Sequence, residues 1–406
     1  MLTIKNVQTL KGFTETITIE SDEFRTIDGK GSLLLIPALI DPHVHFRTPG
    51  AEHKEDWCSG AVAAIRGGIT RVFDMPNNTP ACVTPENLQN KINLIDEQLK
   101  KAGIPLRYNL YYGADQENLD SLGKVAKNVI GLKIYMGSST GGLVMNDPET
   151  LEKAFRLAGH ENVLVAVHAE DEEMLEANKK KHRGNTDPSV HSIIREEKAA
   201  LKATMQAIDL AEKYGTQLVI CHTSTKEELD AIRAAKKREL LVYCEVCTHH
   251  LFLNTEDYGR LGSFGTVNPP LRNKIHCDAL WEGIRDGTVD FLGTDHAPHT
   301  REEKSKSYPE TPSGFPGIET MLPLLLNAYH EKKISLEKIV SLTHINIEQI
   351  FGLERNQDFV LIDLEMKKEV KATELKTKSR WSPYDGVVLK GWPLYTILKG
   401  KVYSCF

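Results

Sequence analysis

The sequence predicts an α/β protein, a closed (β/α)8 barrel with a small β-sandwich beside it built from both chain ends. Three observations carry this reading. Eight short runs rich in apolar and β-branched residues alternate with longer, charged segments of helical character. Eight such units in roughly 260 residues match the size of a TIM-type barrel. The two chain ends lack the rhythm and read as short strands separated by turns.

Taken in order, residues 1–32 alternate as short strands, with Lys11-Gly12 and Asp28-Gly29-Lys30-Gly31 as turn signals. The runs at 35–40, 70–75, 106–112, 130–136, 162–167, 217–221, 240–246 and 289–293 predict the barrel strands. Between them, 85–101, 147–160, 195–214, 226–235 and 278–285 predict helices. A long helical stretch, 318–352, closes the barrel. Strands return over 359–406, with turns at Ser382-Pro383-Tyr384-Asp385-Gly386 and Lys399-Gly400-Lys401. The expected organisation is 1–38 as the first part of the sandwich, 39–352 as the barrel and 353–406 as the second part. A doubly wound open sheet is the structural alternative.

Composition narrows the function. Of 406 residues, 50 are Lys or Arg and 56 are Asp or Glu, a net charge of −6. That balance argues against a nucleic-acid partner but leaves room for a locally positive site that takes a small anion. No apolar run approaches the ~18 residues of a membrane span; the longest, 33–40, contains Pro37. The N-terminus lacks the basic head and apolar core of a signal peptide. Seven scattered cysteines fit a reducing compartment, so a cytoplasmic location is expected. Cys244-Glu-Val-Cys247 has CxxC spacing without a second pair, and two cysteines on a buried strand is the simpler reading.

The chemistry gathers just after the strands. The first ends in Asp41-Pro42-His43-Val44-His45-Phe46-Arg47, the fourth carries Lys133, the fifth and sixth end at His168 and His222, and the eighth runs into Thr294-Asp295-His296-Ala297-Pro298-His299. Strand C-termini of a barrel open onto one face, where active sites form. His43, His45, Lys133, His168, His222 and Asp295 should therefore converge. A His-x-His pair on a strand points both rings to one side, and imidazoles with a carboxylate suit Zn2+. The remaining histidines His160, His182, His276, His330 and His344 read as core or surface residues. Lys133 stands among cations, where an ammonium is unfavourable. A neutral amine can react with CO2 to give a carbamate that bridges two metals. Asp147 is a competing source of a bridging carboxylate, and a Lys133 turned away to a carboxylate is the other reading.

These residues resemble the amidohydrolase superfamily and, within it, the dihydroorotases. The resemblance spans nearly the whole chain. It is carried by Asp-Pro-His-Val-His-Phe-Arg-Thr-Pro-Gly (41–50), Glu-His-Lys-Glu (52–55), Gly-Gly-Ile-Thr (67–70), Met-Pro-Asn-Asn-Thr-Pro (75–80), Gly-Leu-Lys-Ile-Tyr-Met-Gly (131–137), Val-His-Ala-Glu (167–170), Cys-His-Thr-Ser-Thr (221–225), Val-Asn-Pro-Pro-Leu-Arg (267–272) and Gly-Thr-Asp-His-Ala-Pro-His (293–299). It implies reversible hydrolysis of (S)-dihydroorotate to N-carbamoyl-L-aspartate in pyrimidine biosynthesis, with one or two zinc ions. It further implies that His43 and His45 hold the more buried ion, carbamylated Lys133 bridges, and His168 and His222 hold the second. Asp295 would bind the first ion and serve as base and then acid for an activated water. Arg47, Asn77, Asn268 and His299 would bind substrate.

Hydantoinases, dihydropyrimidinases and allantoinases share the metal cage but usually lack an arginine two places after the His-x-His pair. A planar guanidinium suits bidentate capture of a carboxylate, and dihydroorotate differs from dihydrouracil by a ring carboxylate. A surface salt bridge from Arg47 to Glu52 or Glu55 is the alternative. Some relatives lose their ligands and act as structural partners of aspartate carbamoyltransferase; this chain keeps all of them. The resemblance also implies a homodimer. Three stretches depart from the family pattern: Thr343-His344-Ile345-Asn346-Ile347 in place of an Asn-Pro-Ala segment, His191-Ser-Ile-Ile-Arg195 without a following proline, and Gly137-Ser-Ser-Thr-Gly-Gly142. Relatives that bridge their metals with aspartate differ at the last of these, so the bridge and the metal count stay open.

Overall fold

The computed structural model describes residues 1–139 and 142–406. Eight parallel strands follow one another around a barrel: β1 (Leu39–Val44), β2 (Ile69–Asp74), β3 (Arg107–Gly113), β4 (Gly131–Tyr135), β5 (Val165–His168), β6 (Leu218–Ile220), β7 (Val242–Cys247) and β8 (Phe291–Gly293). Each is hydrogen-bonded to the next. Between β8 and β1 the seam is closed by a carboxylate: Asp41 accepts from Thr294 N at 3.0 Å and from Thr294 Oγ1 at 2.5 Å. A parallel bridge from Val44 to His296 completes it. Burial pushes the Asp41 carboxyl up to about 7, against the hydrogen bonds from Thr294 and His43 N.

Barrel strands are buried on both faces, so they read as continuous apolar runs. Their side chains still alternate. One set packs inside the barrel floor, including Ile40, Phe73, Tyr111, Ala166, Val219 and Phe291. The other, including Val72, Leu132, Val165, Ile220 and Leu292, packs against the surrounding helices. Two residues beyond Ala166 on its inward row stands His168, and two beyond Val219 stands Cys221. The site is therefore the top layer of the same column whose lower layers are apolar.

The helices start where capping chemistry puts them. Asp56 and Thr225 form capping boxes at Trp57–Arg66 and Lys226–Lys237, and Thr84 caps Pro85–Ala102. Asp147 caps Pro148–Glu161.

The 35–40 run does not form a single barrel strand. It splits into Leu34–Pro37, which joins the terminal sheet, and β1, which opens the barrel. The helical stretch 318–352 is built of four pieces. It breaks into Met321–His330 and Leu336–Val340, a π-helical turn Ser341–Ile345, and Asn346–Ile350. In that turn His344 Nδ1 lies 2.8 Å from Ala38 O, tying the departure from the family pattern to the barrel floor rather than to the site.

The chain ends build one seven-stranded sheet. Phe359–Glu369 runs antiparallel to both Leu34–Pro37 and Val388–Leu398, and Leu2–Thr9 pairs with Gly12–Ile19 and Arg25–Asp28. The 375–384 segment leaves this sheet to reach the barrel mouth, where Trp381 Nε1 donates to His299 O at 2.8 Å. Among the described residues no helix is long and apolar enough to cross a membrane.

Candidate active site

His43, the penultimate residue of β1, and His45 just past its end place their ring centroids 5.4 Å apart. Asp295 follows β8, with its Oδ1 3.4 Å from His43 Nε2 and 3.0 Å from His45 Nε2. His168 ends β5, and its Nδ1 lies 3.0 Å from His222 Nε2. The His43 and His222 ring centroids are 5.3 Å apart, which joins the two halves. Lys133 on β4 is fully buried and donates to Cys221 Sγ at 3.1 Å, with its Nζ 5.2 Å from the Tyr135 ring centroid. No carboxylate pairs with it among the described residues. All six residues expected to converge line one cavity of about 360 Å³, together with Arg47, Asn77 and Asn268.

Backbone strain accompanies this convergence. Arg47, His222 and Asp295 all have positive φ, at 62°, 38° and 44°. Non-glycine residues adopt that region at a cost, and functional sites are where such strain is held.

Ring orientation shows what the histidines can do. His43 Nδ1–H donates to Glu245 at 3.0 and 3.1 Å, so its Nε2 faces inward. His45 Nδ1 is 2.8 Å from Asn77 Oδ1, which leaves its Nε2 toward Asp295. His168 Nε2 contacts Glu170 at 2.9 Å, which leaves its Nδ1 toward His222. In each case a side-chain oxygen stands at the outer nitrogen and the inner nitrogen is left facing another site residue. That is the arrangement of metal-ligating imidazoles with their supporting hydrogen bonds. His222 Nδ1 and the Tyr135 hydroxyl are buried without a hydrogen-bond partner among the described residues. The ligand atoms of His43, His45 and Asp295 all lie within 4.8 Å of one another. The donor set fits a divalent ion.

Electrostatics agree with this packing. Burial pushes His43 down, but Glu245 and Asp295 outweigh it and raise the ring to about 10. His45 falls to about 4, chiefly by burial. Burial, His168 and Lys133 hold His222 well below its usual range. Burial acts to raise Asp295, yet His43 and His45 keep it far below an ordinary carboxylate.

Arg47 is buried and makes no ion pair among the described residues. Its Nε donates to Pro298 O at 3.0 Å, and burial lowers it to about 10. The expected alternative, a bridge to Glu52 or Glu55, is not formed. Glu52 instead accepts from Gly50 N, and Glu55 is taken by Ser59, Thr377 and His296. His299 differs from the other substrate-site candidates. It is fully buried behind Arg47, 3.1 Å from its Nη2, and does not line the cavity. Asp147 is no bridge either. Its Oδ2 accepts from Thr150 N and Oγ1 at 2.8 and 2.6 Å, as befits a helix cap. Of the 137–142 stretch, Thr140 and Gly141 lie outside the described residues.

Sequence reasoning missed several supporting groups. Glu245 sits inside the CxxC segment, whose two cysteines are buried and free. A lone carboxylate in an apolar strand was its signal. Gly293 makes room for it, since a Cβ there would fall 2.3 Å from Glu245 Oε1. Glu170, from the Val-His-Ala-Glu motif, pairs with buried Arg195. Burial would raise its carboxyl, but Arg195 and His168 bring it down to about 2.

A parallel barrel with a histidine and carboxylate centre at its C-terminal mouth defines a class of metal-assisted hydrolases, and comparison with known proteins agrees. Residues 34–403 match the amidohydrolase family. The dihydroorotase of Methanosarcina mazei is 36% identical over 392 residues, covering 93% of this chain and 84% of that one. Multifunctional protein CAD of Squalus acanthias is 35% identical over 406 residues, covering 98% of this chain and 16% of that much longer one. The solved structure of L-hydantoinase (dihydropyrimidinase) from Arthrobacter aurescens superposes with a TM-score of 0.92 at 26% identity, covering 99% and 96% of the two chains. The chain belongs to the amidohydrolase family and, within it, to the dihydroorotases.

Proposed function

We propose that this chain catalyses the reversible hydrolysis of (S)-dihydroorotate to N-carbamoyl-L-aspartate, the ring-closing step of pyrimidine biosynthesis run in either direction. The single observation that carries this reading is the buried, unpaired Arg47 on the wall of the cavity. A buried guanidinium without a counter-ion is costly, and a substrate carboxylate supplies one. Hydantoins and dihydrouracil lack that carboxylate.

Arg47 presents its guanidinium to the ring carboxylate, and Asn77 and Asn268 orient the ring. His299 acts from behind Arg47. His43, His45 and Asp295 would hold one Zn2+, and His168 and His222 a second. Lys133 would bridge the two as its carbamate, formed from the amine and CO2 with release of a proton. This puts an anion where the buried amine stood. A divalent ion held there polarises the scissile carbonyl and acidifies water. Asp295 accepts the proton of the attacking water and returns it to the ring nitrogen as the C–N bond breaks, one group serving as base and then acid. In synthesis the same transfers run backwards.

A homodimer and a cytoplasmic location fit this reading. The match to a short stretch of a much longer multifunctional chain supports association with a further enzyme of the route, and aspartate carbamoyltransferase, whose product is the substrate for ring closure, is the partner we propose. The test is turnover of dihydroorotate, dihydrouracil and allantoin at equal concentration, with protein supplied with zinc and bicarbonate. Preference for dihydroorotate is expected. Turnover of a neutral ring alone would transfer the assignment to the hydantoinase-like reading.

A further inference from the structure

A second, larger cavity of about 890 Å³ opens beside the candidate site and shares Asn268 and Ser313 with it. Its wall carries Lys179, Arg183, His191 and Arg195, and no carboxylate lines it among the described residues. Two of these cations already hold a carboxylate, which leaves Arg183 as the unpaired one among the described residues. Glu176 pairs with Lys179, and Asp187 accepts from Ser189 N. Glu170 pairs with Arg195. Arg183 is exposed and has no hydrogen-bond or ion-pair partner among the described residues. The inner end is built and fixed: His191 Nε2 lies 2.9 Å from Asn268 Oδ1 and 3.1 Å from Val267 O.

Elsewhere around the barrel a third cavity carries the opposite charge, with Glu170, Asp171, Glu172 and Glu173 against Lys202. The chain as a whole is negative, at −6. At long range that charge opposes the approach of an anion. An unpaired cation, Arg183, at a recess with low-dielectric walls, here Ile194, Tyr308 and Pro309, concentrates anions locally in spite of it.

We propose that this outer cavity is an antechamber that draws in carboxylate-bearing substrate past the unpaired Arg183 at its rim and passes it by Asn268 and Ser313 to Arg47. The inference rests on the anionic substrate proposed above and adds the route by which it arrives. Arg183 sets the field at the rim without touching the inner cavity.

The experiment uses the metal-loaded full chain and Arg183→Gln and Arg183→Glu variants. With dihydroorotate at low ionic strength, Arg183→Glu should lower kcat/KM by about tenfold with kcat unchanged. Arg183→Gln should fall between the two. The difference should shrink toward nothing near 1 M salt, where the screening length is about 3 Å. Equal kcat/KM in Arg183→Glu and parent at low salt, or a loss that salt does not erase, overturns the proposal. A second readout needs no turnover: calorimetric binding of malonate to Arg47→Met protein at low salt, where the inner carboxylate site is removed. Binding that Arg183→Glu abolishes supports the antechamber even if dihydroorotate proves not to be the substrate. Binding indifferent to residue 183 overturns it even if dihydroorotate is turned over.

Discussion

His299 stands behind Arg47 and is itself held from behind by Lys54. Its Nδ1 lies 3.1 Å from Lys54 Nζ, and its Nε2 lies 3.0 Å from Ser313 O and 3.1 Å from Arg47 Nη2. An ammonium and a guanidinium can only donate, so the ring meets a donor at each nitrogen, and Nε2 either accepts from Arg47 or donates to Ser313 O according to its tautomer. Burial, with Arg47 and Lys54 on either side, depresses the ring to about 3, so it stays neutral at working pH. Lys54 holds one ring nitrogen from behind while the other meets the guanidinium and the Ser313 loop. Replacing Lys54 with Met should cost about one hydrogen bond, roughly fivefold in KM for dihydroorotate. Zinc content and kcat should be close to parent, as steady-state kinetics and metal analysis would show.

Asp295 is the proton-transfer group of the proposed reaction. Asp295→Asn keeps the shape of the side chain and tolerates the left-handed backbone at this position. It should lower kcat by about 10² to 10⁴ while the thermal transition stays cooperative. Near-parental turnover in this variant would remove Asp295 from the mechanism.

Glu245 orients His43 from outside the cavity. Glu245→Gln should weaken metal binding about 10- to 100-fold, measured by chelator competition, with KM in the fully loaded enzyme little changed. Gly293→Ala should weaken it too, because its methyl group would meet the Glu245 carboxylate.

Metal loading should depend on pH with a defined sign. In the metal-free protein Glu245 and Asp295 outweigh burial and raise His43 to about 10, so at pH 7 this ring is protonated. A metal ligand must be neutral, so binding releases that proton. Apparent affinity should rise about tenfold per pH unit through pH 7–9 from this group alone. The same raised pKa favours folding of the metal-free protein below its unfolded value near 6.5. That contribution is lost as pH climbs through about 10. A flat affinity profile over pH 7–9 would show that His43 is already neutral.

Much of this was legible in the sequence because barrel strands carry two signals at once. An apolar run gives the strand, and the first polar residues after it give the site, which is how His43, His168, His222 and Asp295 could be placed. The misreadings have physical causes. Pro37 interrupts the 33–40 run, and one apolar stretch serves two sheets, which periodicity cannot distinguish. Glu245 was hidden because its partner, His43, lies 202 residues away. His299 looked like a direct contact because sequence position shows which strand end a residue follows, not whether its ring lies in front of Arg47 or behind it.

The central claim is that Arg47 reads a substrate carboxylate. Its most direct test is the ratio of kcat/KM for dihydroorotate to that for dihydrouracil, in parent and in Arg47→Met at matched zinc content. Loss of a buried charge partner is worth about 3–5 kcal/mol. The ratio should therefore strongly favour dihydroorotate in parent and fall by at least about 10² in the variant, with metal retained. An unchanged ratio would contradict that claim.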